Sequence, residues 1–204
     1  MNTIVQLIPL ECSDREQFIS DNQEAFNYGA MEEFGLRDDH FEEDGQIISR
    51  DTIGQSIDSG EAYRIILDGQ KVGGLVIKVD GEKGDLDLLF VSQTAHSKGI
   101  GYAAWCAVEK LHPEVNVWET VTPYFEQRNI HFYVNRCGFH IVEFFNKYHP
   151  DSNDPECAPK NWTSSSRTEC SGLKRSFGKF LLVELNTANI AAWFSKEIRR
   201  LFLV

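Results

Sequence analysis

Between Asp85 and Leu111 the chain passes without interruption from an apolar run to a polar, glycine-bearing turn and then to a helical pattern. If Leu86 to Val91 is a strand, the period of two puts Asp85, Asp87, Leu89 and Val91 on one face. The turn, Ser92 to Lys98, leads into Gly99-Ile100-Gly101. From there Ile100, Ala103, Ala104, Ala107, Val108 and Leu111 recur at the spacing of a helix with one apolar face. A strand running through glycines into a helix start is suited to an anion. The first turn carries unpaired N–H groups and about half a positive charge, and glycine lets a phosphate approach the backbone.

The elements around this unit define the fold class. Thr3 to Ile8 reads as a first strand, and Ser13-Asp14 can cap a helix running through Phe18 and Ile19 towards Ala25-Phe26. A second short helix covers Asp51 to Ser59. Ala62 to Leu67 and Lys71 to Val79 flank Asp68-Gly69, a hairpin turn dipeptide, and so pair as antiparallel strands. Val115 to Val121 is a further strand. Asn129 to Cys137 is a short helix with Ile130, Tyr133, Val134 and Cys137 on one side, stopped by Gly138. Phe139 to Phe145 follows as a strand. This order predicts one mixed α/β domain, a central sheet with helices on both sides.

Two chemistries compete for Gly99 and Gly101. Gly-Ile-Gly-Tyr-Ala-Ala fits a relaxed dinucleotide fingerprint, with Glu119 about 20 residues further on to hold a ribose. In that fingerprint, however, the first glycine follows its strand almost at once, whereas seven residues separate Val91 from Gly99. The preceding strands also form a meander, not the first unit of a doubly wound sheet. The second chemistry covers more of the chain. Val91-Ser-Gln-Thr-Ala-His96-Ser97-Lys98-Gly99-Ile100-Gly101 resembles the signature of the GNAT family of N-acetyltransferases. There a strand-end valine leads to (Arg/Gln)-x-x-Gly-x-(Gly/Ala), and this chain departs by having His96 at the first position. A second block, Asn129-Ile-His-Phe-Tyr133-Val-Asn-Arg-Cys-Gly138-Phe139, is similar to the family's later helix. The resemblance covers residues 3 to 145.

The resemblance implies acetyl-CoA as donor and a primary amine as acceptor. It also implies a mostly antiparallel mixed sheet with a V-shaped splay between the fourth and fifth strands, where the pantetheine arm lies. His96, Ser97, Lys98, Gly99, Ile100 and Gly101 would then cradle the diphosphate through backbone N–H groups. Backbone groups of Leu89 and Val91 would pair with the arm, and an N–H near Phe90 would polarise the thioester carbonyl. Tyr133 stands at the family's general-acid position, and its phenol, with a pKa of about 10, can donate at neutral pH. Asp85, or Asp87 two residues on, is the candidate to take the amine's proton. Asn129 can cap its helix and in the family lies near the cofactor.

Glu32 to Asp44 holds seven acidic residues against one arginine, and no lysine precedes Lys71. Such a run is a solvated face or, by the family's plan, part of the acceptor mouth. Glu32, Glu33, Asp38 and Asp39 are therefore the expected acceptor-binding residues, and the acceptor is expected to be cationic: a polyamine, an aminoglycoside-like compound or a basic peptide end. The net charge of -11 opposes non-specific binding to nucleic acid. Five cysteines without a C-x-x-C pair fit a reducing cytoplasm, no metal set is apparent, and no signal peptide or membrane span is visible. Asn146 to Ser176 is polar and rich in turn formers, an insert or a flap. Phe177 to Leu185 reads as a final strand and Thr187 to Val204 as an amphipathic helix that packs on the core or on a second subunit, so that a homodimer is one expectation. A CoA-binding module without transfer activity is the remaining alternative.

Overall fold

The computed structural model describes residues 3–34, 42–43, 45–95, 99–123, 126–145 and 179–185. The strands are β1 (Gln6–Pro9), β2 (Glu61–Leu67), β3 (Gln70–Asp80), β4 (Lys83–Val91), β5 (Val117–Pro123), β6 (His140–Phe145) and β7 (Lys179–Leu185). The helices are α1 (Arg15–Phe34), α2 (Arg50–Ser59), α3 (Ile100–Leu111) and α4 (Gln127–Arg136). Among the described residues all strands join one seven-stranded sheet in the order β1-β2-β3-β4-β5-β7-β6. Every pairing is antiparallel except β4 with β5, which α3 connects. The final strand of the sequence reading is thus part of the sheet, between β5 and β6. The proposed 146–176 insert and terminal helix lie outside the described residues.

Local chemistry accounts for several boundaries. Asp68 and Gly69 both take positive φ, 52° and 77°, the geometry of the tight turn that joins β2 to β3. Gly138, at φ 84°, ends α4, and the Cys137 and Phe139 N–H groups bond back to Tyr133 O at 3.2 and 3.1 Å. Ser13 and Asp14 do not cap α1. They sit in a 3₁₀ turn, Cys12–Asp14, and the Asp14 carboxylate is taken by Arg64 and Lys71, at 2.7 and 2.8 Å. Arg64 is 3% exposed, also reaches Asp21 at 2.7 Å, and lies over the Phe18 ring, which ties α1 to the sheet.

The fourth strand departs from strict alternation. Ile77 stands opposite Leu86, but Val76 stands opposite Leu88, so Asp87 is an extra residue in a bulge. Leu86 packs with Trp105, Trp118 and the α3 layer, and so do Leu89 and Val91. Leu88 and Phe90 pack with Phe18, Ile53 and the α1–α2 layer, and Asp87 accepts a 2.6 Å hydrogen bond from Ser56 of α2. Asp85 and Asp87 therefore do not share a face with Leu89 and Val91. The expectation from a regular period of two fails because the bulge resets the alternation.

Beyond the bulge the sheet opens. β4 and β5 pair only at Lys83–Val117, Gly84–Trp118 and Asp85–Glu119. At the next position the Thr120 hydroxyl donates to the Leu86 carbonyl at 2.8 Å, a side chain where a parallel ladder would continue. The expected V-shaped splay between the fourth and fifth strands is thus present, with its apex at Asp85 and Glu119. Among the described residues no helix is long and apolar enough to cross a membrane.

Candidate functional site

The splay opens a cavity of about 340 Å³. Leu89, Phe90 and Val91 of β4 form its spine. Gly99 to Tyr102 close it from the α3 side, Asn129, Phe132 and Tyr133 from α4, and Ala25, Phe26, Gly29 and Ala30 from α1. The α1–α2 layer and the α3–α4 layer lie on opposite faces of the sheet, so the cavity passes through it where β5 leaves β4.

The α3 end is suited to an anion. Gly99 has φ 73° and ψ 15° and offers no side chain to cap the helix it precedes. A Cβ at Gly99 would meet nothing within 4 Å, so glycine is required there by backbone conformation and not by crowding. Arg128 and Arg136 bring positive charge to the same cavity, against one acid among the described residues, Glu126. Arg136 also lies 5.5 Å from the Tyr102 ring centre. His96, Ser97 and Lys98, expected in the cradle, lie outside the described residues.

Tyr133 is 9% exposed, packed edge-on against Phe132 and Phe139, and lines the cavity. Burial is the main cause that pushes its phenol upward, with nearby Cys137 adding to it, while the Thr120 hydroxyl opposes the shift. The phenol therefore keeps its proton across the neutral range. Asn129 lines the cavity as expected but does not cap α4. The helix begins two residues earlier with Glu126 as its N-cap, and the Asn129 amide donates to the Glu126 carboxylate at 3.3 Å.

Asp85 and Asp87 do not line the cavity. Both belong to the α1–α2 face beside the apex of the splay, where Lys78 reaches Asp87 at 2.8 Å. Burial raises the Asp85 pKa to about 6, helped by the Asp87 and Glu119 charges and opposed by Lys78. Glu32 and Glu33 occupy the last turn of α1, while Asp38 and Asp39 lie outside the described residues. The end of the acidic run has a structural use. Glu42 accepts from the Ser49 N–H and the Thr52 hydroxyl, and Glu43 from the Arg50 N–H, together closing the start of α2.

Sequence reasoning missed the α1 wall, because it carried that helix only to Ala25-Phe26. The spacing Ala25, Phe26, Gly29, Ala30 repeats every three to four residues and would have marked a small-residue face had the helix been extended. It also missed Tyr102, Glu126, Phe132, Arg128 and Arg136, which only the packing of α4 against α3 brings to the cavity.

Comparison with known proteins bears on what such a site is for. Residues 18–139 match the family model described as the acetyltransferase (GNAT) family. The chain belongs to the GNAT family. A Bacillus subtilis (strain 168) protein, the uncharacterized YrkN, is 47% identical over 141 residues, 67% of this chain and 74% of that protein. Among solved GNAT structures, one from Elizabethkingia anophelis with acetyl-CoA bound superposes with a TM-score of 0.56, 14% identity, and coverage of 89% of this chain and 98% of that one. The PaiA N-acetyltransferase of Thermoplasma acidophilum, in complex with coenzyme A, gives 0.57 at 14% identity, covering 91% and 100%. At such identity these two structures speak to fold alone, and the fold they share with this chain is the GNAT fold.

Proposed function

We propose that the protein transfers an acetyl group from acetyl-CoA to a cationic primary amine by direct attack. The observation that carries this reading is the passage through the sheet at the β4–β5 splay, with an anion cradle at Gly99 on one side and Tyr133 within it. On this reading the diphosphate lies at the start of α3 near Arg128 and Arg136, and the pantetheine arm runs along Leu89 to Val91. An N–H near Phe90 faces the oxygen that becomes negative on attack.

The two proton transfers then separate by face. The acceptor arrives from the α1 side and must lose a proton to become nucleophilic. Asp85, whose carboxylate belongs to that face, takes the proton through water; Asp87 is engaged by Ser56 and Lys78 and shapes its charge. The amine nitrogen bonds to the acetyl carbon, the carbon–sulfur bond breaks, and the departing thiolate takes the Tyr133 proton. The products are an amide, free coenzyme A and one proton released to solvent.

The cavity's α1 wall, Ala25, Phe26, Gly29 and Ala30, favours methylenes next to the reacting amine. The acidic run that begins in the last turn of α1, with Glu32, Glu33, Asp38 and Asp39, favours further positive charge on the acceptor. A polyamine or a basic peptide end combines both features. Free Cys12, Cys106 and Cys137 suit a reducing cytoplasm for this activity. The test is thiol release from acetyl-CoA across spermidine, an aminoglycoside, a basic peptide, and neutral and anionic amines. Turnover with the cationic group supports the reading. Thiol release with none of them, despite acetyl-CoA binding, identifies a silent binder instead.

A further inference from the structure

Three glycines lie inside the described helices: Gly29 of α1, Gly54 of α2 and Gly101 of α3. A glycine in a helix is less stable there than alanine, because it loses more backbone freedom on folding. Two of the three have a local reason. A Cβ at Gly54 would come to 3.3 Å from the Arg15 guanidinium, which donates to the Gly54 carbonyl at 3.1 Å and pairs with Asp58. A Cβ at Gly101 would come to 3.3 Å from the Phe132 ring, where α3 meets α4. Neither crowding nor strain accounts for Gly29. A Cβ built there meets no described atom within 4 Å, its φ is not positive, and α1 continues beyond it to Phe34. The open volume belongs to the cavity, which Gly29 lines together with Ala25, Phe26 and Ala30, at the spacing of one helix face. Ala25 and Phe26 pack in the α1–α2 layer, across the sheet from the layer that holds Ile100 and Tyr133. Gly29 therefore faces the half of the passage opposite the start of α3.

We propose that Gly29 is a specificity-determining residue, its missing side chain reserving room for the methylenes of the acceptor next to the reacting nitrogen. This rests on the reading of the cavity as an acetyl-transfer site that the acceptor enters from the α1 side. A carbon chain lying against Gly29 touches the backbone of α1 itself, closer to the helix axis than any side chain would allow. The N–H and C=O groups of α1 are bonded within the helix at this position, and the wall side chains on either side are alanine and phenylalanine. The wall thus offers van der Waals contact and no hydrogen bond, which suits methylenes and leaves a second ammonium without a partner there. Each side-chain carbon added at position 29 would take volume that the acceptor fills, while the coenzyme on the opposite side of the sheet would be untouched.

The experiment compares Gly29→Ala and Gly29→Leu with the parent, each as the whole chain. Three quantities are measured: the urea midpoint, the Kd for acetyl-CoA by calorimetry, and thiol release with whichever amine of the panel above turns over. Gly29→Ala is expected to raise the urea midpoint, since alanine is the better helix former and meets no neighbour. Its kcat/KM for the amine is expected to fall about tenfold, and that of Gly29→Leu about a hundredfold or more. The Kd for acetyl-CoA is expected to stay within about twofold of the parent in both. A lower midpoint for Gly29→Ala would mean that packing explains the glycine, and it overturns the proposal. An unchanged kcat/KM in both variants overturns it too. So does an equal fall in both, which would trace to lost helix flexibility and not to volume. Acetyl-CoA binding weakened in step with the amine would give the space to the coenzyme, again against the proposal. Each of these results leaves acetyl transfer standing, because the parent still turns over. If the parent binds acetyl-CoA and acetylates none of the amines, the transfer reading falls and this inference with it.

Discussion

Replacing Asp85 with asparagine should stabilise the protein at neutral pH and less in mild acid. Asp85 is pushed from the usual 3.8 to about 6 by burial, then by the Asp87 and Glu119 charges, with Lys78 opposing. A carboxyl whose pKa rises on folding holds its proton more tightly in the native state than in the unfolded one. The native state therefore binds more protons between about 3.8 and 6, and stability falls as pH rises through that window. The shift corresponds to roughly 3 kcal/mol of penalty at pH 7.5, an upper bound for a group that is not fully buried. Asparagine keeps the shape and removes the charge; the shift to about 6 already includes the opposing attraction of Lys78, so only partial exposure discounts the penalty. A net gain of about 1–2 kcal/mol is expected at pH 7.5. At pH 4.5, where the folded carboxyl is mostly protonated but the unfolded one is still mostly ionised, the gain should shrink to about a third of that, roughly 0.5 kcal/mol. Urea unfolding of both proteins at the two pH values measures this, and the difference between them cancels carboxylates elsewhere. Equal effects at pH 7.5 and 4.5, or a loss at pH 7.5 alone, would refute the argument that desolvation governs this group. The same variant should lose the acid limb of its activity if Asp85 receives the amine's proton.

Arg64→Met should cost roughly 3 kcal/mol in urea unfolding at pH 7, since Asp14 and Asp21 lose a buried partner, and the cost should lessen towards pH 3. The hydrogen bond from Arg64 also holds the Asp14 carboxyl below its usual range, so that contribution is lost as pH falls through the lowered value. Gly73→Ala would drive a Cβ into the Phe90 carbonyl oxygen and force β3 away from β4. A loss of about 1–3 kcal/mol is expected, together with lowered kcat, by thermal unfolding and thiol release. Gly99→Ala meets no neighbour but strains a residue at φ 73°, so stability should drop only about 1–2 kcal/mol. If the proposed cradle at Gly99 holds the diphosphate, calorimetry with acetyl-CoA should show at least tenfold weaker binding.

The fold could be read wherever one local signal decided the geometry. The 3.6 period placed α3 to the residue, and Asp68-Gly69 placed the β2–β3 turn. The bulge at Asp87 could not be read, because a sequence with one extra residue looks the same as a regular alternation until its partner strand is known. The helix α1 was shortened in the sequence reading for a similar reason. Its buried positions include Asn22 and the small Ala25 and Ala30, which carry little hydrophobic contrast. Asn129 looked like a cap because asparagine favours that position, yet Glu126 sits there and takes the Asn129 amide. In the site, Gly99 and Tyr133 were legible from motif and spacing. The contact of Thr120 with Leu86 was not, since only the end of the ladder brings its hydroxyl to a carbonyl 34 residues earlier in the chain.

The structure of the whole chain with acetyl-CoA tests the central claim most directly. The account predicts the diphosphate against the N–H groups at Gly99 to Gly101, the pantetheine arm between β4 and β5, and the thioester sulfur within hydrogen-bond reach of the Tyr133 hydroxyl. Acetyl-CoA bound elsewhere, or β4 and β5 paired along their length with the ligand excluded, would contradict it.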